Sequence, residues 1–116
     1  MEVIALNEQI LKREAKLIVQ RCQDQFKQKR QTHYWIKVVN DHYDHTYNFF
    51  FNYQRLHQVE RSVPVRTITE SDLQWLELLI QEIQRLTEFN IEYEGFYHFL
   101  WPNAQRPIQK RRNQAE

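Results

Sequence analysis

Glycine is nearly absent from this chain, with Gly95 alone among 116 residues, where average usage would supply roughly eight. Phosphate-cradling loops, dinucleotide fingerprints, kinase glycine loops and nucleophile elbows each need two or more glycines, because backbone must approach phosphate closely or turn with φ > 0. All of these are excluded. One cysteine, Cys22, forms no internal disulfide and rules out CxxC redox motifs and Cys-rich zinc sites. That favours a reducing, cytoplasmic setting. The opening MEVIALNEQI lacks the basic start and apolar run of a signal peptide. No stretch approaches the roughly 20 apolar residues of a membrane span, so no membrane partner is expected.

The composition that remains is ordinary for one folded domain: 41% hydrophobic, 27% charged and 14% aromatic. Its net charge of +1 conceals an uneven distribution. Residues 1–32 hold seven Lys/Arg against four acids, and residues 70–104 hold seven acids against Arg85 alone. The last twelve residues carry Arg106, Lys110, Arg111 and Arg112 against Glu116. Such sign asymmetry points to patches that steer partners.

Periodicity predicts the elements. Asn7 reads as an N-cap for a helix to about residue 31, with Leu6 and Leu11 at hydrophobic-staple spacing. Leu11, Ala15, Ile18, Cys22 and Phe26 make its apolar face. Residues 33–39 read as a strand, Asn40 to Asp44 as a turn, and residues 45–55 as a second strand with Tyr47, Phe49, Phe51 and Tyr53 on one side. A third strand is expected near 56–61, with Ser62 to Val65 extended or looped because Pro64 cannot donate to a ladder. Thr69 with Asp72 resembles a capping box for a second helix to about Glu88. Residues 91–101 alternate as a last strand, interrupted at Gly95 by a bulge, a close approach or a turn.

The expected fold is therefore α+β, in the order α-β-β-(β)-α-β: an antiparallel sheet of three to four strands with two helices packed on one face. Residues 1–102 would form the single domain and 103–116 a basic flexible tail. Double-stranded-RNA-binding domains share a similar α-β-β-β-α order. Their last helix begins with basic and small residues, however, and here that start is Glu70-Ser71-Asp72.

Three functional readings follow. Trp35, Phe50, Phe96 and His98 fall out of phase with the core and would lie on the open sheet face, where exposed aromatics mark an interaction site. This favours a small, non-catalytic protein-binding module, adaptor- or inhibitor-like, that self-associates as a homodimer. The second apolar side of the first helix offers another contact surface. The alternative is an RNA or single-stranded-DNA binder that contacts phosphate through Lys12, Arg13, Lys16, Lys27, Arg106, Lys110, Arg111 and Arg112. The third is a metal-dependent enzyme at Asp41-His42-Tyr43-Asp44-His45, where two imidazoles beside carboxylates offer N and O ligands. HxxH in a turn matches no closed zinc motif, so no cofactor is implied and catalysis is the least favoured reading. The Gln-rich, Gly-poor character fits a bacterial or phage-encoded protein.

Overall fold

The computed structural model describes residues 2–69, 72–97 and 99–108, with side chains from residue 8 onward. Six elements follow in order: α1 (Glu2–Gln25), β1 (Thr32–Asp41), β2 (Thr46–Arg55), β3 (Arg61–Thr69), α2 (Leu73–Leu86) and β4 (Asn90–Glu94). The class is α+β, as the order of periodicities implies. The sheet runs β3-β2-β1-β4.

The sheet is mixed rather than antiparallel. β1 and β2 pair antiparallel from Thr32↔Arg55 to Asp41↔Thr46, and β3 pairs antiparallel with β2. β4, however, runs parallel to β1, with Ile36 opposite Ile91. Antiparallel neighbours can be joined by tight turns, but parallel strands need a crossover. Here α2 supplies it, carrying the chain from the β3 edge to the far side of β1.

Several boundaries differ from the periodicity reading, each for a local reason. α1 starts at Glu2, so Asn7 and Leu6 lie inside the helix instead of capping it. Glu, Leu and Ala in that stretch sustain a helix, and nothing there breaks one. α1 ends at Gln25 because Phe26 turns into the core, edge-on to Tyr34 and Phe89 at centroid distances of 4.6 and 5.4 Å. The turn 42–45 is closed by Asp41, whose Oδ1 accepts from the backbone N–H of Tyr43 (3.0 Å) and Asp44 (3.1 Å). The third strand comes later than expected and includes Pro64. Proline is tolerated there because β3 is an edge strand, and its register shifts between Phe49 and Phe50. Thr69 ends β3, and Asp72 caps α2 by accepting from Trp75 N–H at 2.8 Å.

One core lies on one side of the sheet. Ala15, Ile18 and Cys22 from α1 and Leu76, Leu79 and Ile83 from α2 are fully buried with Ile36, Val38, Phe49 and Phe51. Each such large side chain contributes about 1.5–3 kcal/mol on burial. The two helices also bring opposite charges together, since Lys12 and Lys16 of α1 help hold the Glu82 carboxyl on α2 below its usual range, after the larger effect of Arg85. A bidentate pair ties α1 to the β3 edge: Arg66 donates to both Glu14 oxygens, at 2.7 and 2.6 Å.

Cys22 is sealed in this core, and burial pushes its thiol up to about 12. The folded state thus holds that proton where the unfolded chain has released it. Stability is therefore expected to fall as pH rises above the thiol's ordinary value of about 8.5, with buried Tyr93, also raised by burial, adding to the loss. Denaturation midpoints between pH 8 and 11 check this. Iodoacetamide at pH 8 should leave the native thiol unmodified and label the unfolded one.

The last expected strand divides. β4 ends at Glu94, and Gly95, at φ +84, turns the chain. Residues 99–108 then fold back as a small hairpin, with Trp101 N–H donating to Arg106 O at 2.9 Å and Ile108 N–H to Phe99 O at 3.0 Å. Ile108 is buried in the main core. The domain edge anticipated at residue 102 therefore falls inside a packed hairpin; residues 109–116 lie outside the described residues.

Candidate interaction surfaces

The sheet face opposite the helices presents Trp35, Lys37 and Val39 from β1 and Asn48, Phe50 and Asn52 from β2. It is not an exposed aromatic patch. Trp35 is fully buried, with its indole N–H donating to Glu92 Oε1 at 3.1 Å. Phe50 is half-buried. Polar neighbours occupy the rest: Thr67 Oγ1 donates to Asn48 Oδ1 at 2.8 Å, Ser62 Oγ to Asn52 Oδ1 at 2.5 Å, and Lys37 pairs with Glu94 at 3.3 Å.

Phe96 is not on that face. The turn at Gly95 swings it into the helix-side core, stacked on Tyr47 and edge-on to Tyr93. The period-2 pattern misplaces it because a strand phase has meaning only while the strand continues. His98 lies outside the described residues. The expectation that Trp35, Phe50 and Phe96 stand exposed together is thus corrected.

The exposed aromatics are elsewhere. A groove of about 520 Å³ opens between the β1–β2 turn and the segment after β4, lined by Asn40, His42, Tyr43, Glu94, Tyr97 and Ile108 among others. His42 and Tyr97 stack at 5.3 Å across it, and His42 Nε2 sits 2.8 Å from Gly95 O. Tyr43 is 96% exposed and Tyr97 75%, and in the segment that follows the groove's lining Phe99 and Leu100 are exposed at 44% and 46%. Tyr97 holds a left-handed φ of 49°, a conformation that costs a bulky residue about 1–3 kcal/mol. The signal for this site was hidden in sequence because Tyr97 and Phe99 shared the phase of core residues.

In the proposed metal turn one imidazole serves other contacts. His42 is occupied as described, and His45 is an exposed residue at φ 55 that closes the turn. Among the described residues no group of three or more His, Cys, Asp or Glu is placed to hold a metal ion. No described helix is long and apolar enough to cross a membrane.

The basic residues scatter. Lys12 and Lys16 face Glu82 as noted, Arg13 is exposed on α1 and Arg106 lines a cavity beside α2. Lys27 lies at the opposite end of the sheet from the groove. Lys110, Arg111 and Arg112 lie outside the described residues. Glu77, one of the seven acids between residues 70 and 104, is only 3% exposed. Its carboxylate accepts from the backbone N–H of Asn103 at 2.7 Å and Ala104 at 3.0 Å, clamping the 99–108 hairpin to α2. No family model, curated protein or solved structure matches this chain.

Proposed function

We propose that this chain is a non-catalytic protein-binding module that self-associates through the aromatic rim beside the β1–β2 turn. One observation carries the reading. A fold that buries Trp35, Phe49, Phe51 and Phe96 leaves Tyr43 and Tyr97 exposed around one groove, with Phe99 and Leu100 exposed in the segment that follows. Aromatic side chains of this kind are enriched in interface cores and among the residues that dominate binding energy. Tyr97 supports the reading further, because a left-handed backbone holds its ring, stacked on His42, 75% exposed at the groove.

Sedimentation velocity across a concentration series tests the proposal. The wild-type chain is expected to dimerise, and Tyr97→Ser with Phe99→Ser to raise the dissociation constant roughly tenfold or more. A wild-type chain that stays monomeric at the highest concentration, or a double variant that associates as the parent does, overturns it.

A further inference from the structure

The end of the sheet away from the aromatic rim holds a cavity of a different chemistry. It measures about 230 Å³, and Lys27, Lys29 and Arg55 line it together with Thr32, Tyr53 and Gln58. No carboxylate is among the lining residues. Three other cations of the fold are paired with carboxylates: Arg66 with Glu14, Arg85 with Glu82 and Lys37 with Glu94. Lys27, Lys29 and Arg55 form no ion pair with the described residues, and like charges left facing one small space repel unless an anion joins them.

The walls are set in advance. Leu56 N–H donates to Gln31 O at 2.8 Å, tying the β2–β3 turn to the α1–β1 loop. Gln54 Nε2 donates to Gln58 O at 3.1 Å, and the Tyr34 hydroxyl donates to Lys27 O. Thr32 and Arg55, paired across β1 and β2, also line a second cavity of about 560 Å³, with Gln31, His33, Gln54, Leu56 and His57. It again lacks a carboxylate. Imidazole rings, an exposed leucine and two amides are surfaces that take a planar base by stacking and edge hydrogen bonds.

We propose that these adjoining cavities bind one nucleotide unit, its phosphate on Lys27, Lys29 and Arg55 and its base beside His33, Leu56 and His57. A free nucleotide and a single strand present the same phosphate, and the same cations serve both. This site lies apart from the aromatic rim and does not depend on self-association.

Fluorescence anisotropy with a labelled ten-nucleotide single strand, competed by AMP or by inorganic phosphate, tests it on the full chain. Saturable binding is expected at low salt, weakening as salt rises because phosphate contacts release counterions. Competition by AMP well below the concentration needed for inorganic phosphate assigns a free nucleotide; resistance to AMP assigns the strand. Lys27→Ala, Lys29→Ala and Arg55→Ala together should weaken binding roughly tenfold or more and flatten the salt dependence. The variant keeps Arg106, Lys110, Arg111 and Arg112, so loss isolates the cavity from the tail. His57→Ala, a turn substitution that leaves the cations in place, should weaken strand and AMP binding without changing the salt slope. The proposal is overturned if nothing binds, if the triple variant binds as the parent does, or if inorganic phosphate displaces the strand at the same concentration as AMP does.

Discussion

Gly95→Ala is expected to destabilise the protein by about 2–6 kcal/mol, and Gly95→Val by more. Two causes add. At φ +84 an L side chain is strained whatever space surrounds it, and a Cβ there would stand 2.5 Å from the carbonyl oxygen of Asn40. That oxygen belongs to the backbone of β1, so no side-chain rotation relieves the contact. Asn40→Ala combined with Gly95→Ala should therefore recover little of the loss. For a domain of this size each kcal/mol shifts the melting temperature by roughly 4 °C, which makes the effect plain in a thermal scan. A Gly95→Ala melting temperature within about 2 °C of the parent contradicts the account. The damage also reaches the aromatic rim, because the turn at Gly95 sends Phe96 into the core and Tyr97 onto His42.

Glu77→Ala is expected to cost about 2–4 kcal/mol, since hydrogen bonds to a charged acceptor contribute about 1.5–3 kcal/mol each. Two backbone amides, on Asn103 and Ala104, would lose that acceptor. The loss is bounded because the hairpin can detach and let water satisfy the amides. Release of the hairpin is thus the specific outcome, with faster hydrogen exchange at Asn103 and Ala104 than at amides of the central strands. Glu77→Gln keeps one acceptor oxygen and should retain part of the protection. Unchanged exchange at both amides in Glu77→Ala would show that the clamp is unimportant.

Elements with sustained periodicity were legible in the sequence. α2 and the β1–β2 hairpin follow directly from apolar spacing and from the turn chemistry of Asp41. Regions where one residue redirects the chain were not. Phe96 obeys the alternation of Ile91 to Trp101 on paper, yet Gly95 ends the strand one residue earlier. Glu77 matches a solvated stripe by helix angle, and only a distant hairpin reverses its environment. The cationic cavity was half visible, in that Lys27 stood out as basic while Arg55 lay 28 residues further on in another element.

The shortage of glycine excluded phosphate loops, but phosphate can also be met by side chains alone, and the proposed cavity would use lysine and arginine in that way. By itself the sequence determined the α+β class, the order of elements, most of the core and the chemistry of the turns, because each depends on contacts within one short segment. The tertiary structure decided the parallel placement of β4, the burial of Trp35 and Phe96, the outward rings of Tyr43 and Tyr97, and the company of Lys27 with Arg55. These depend on which segments meet, and local spacing carries no record of that.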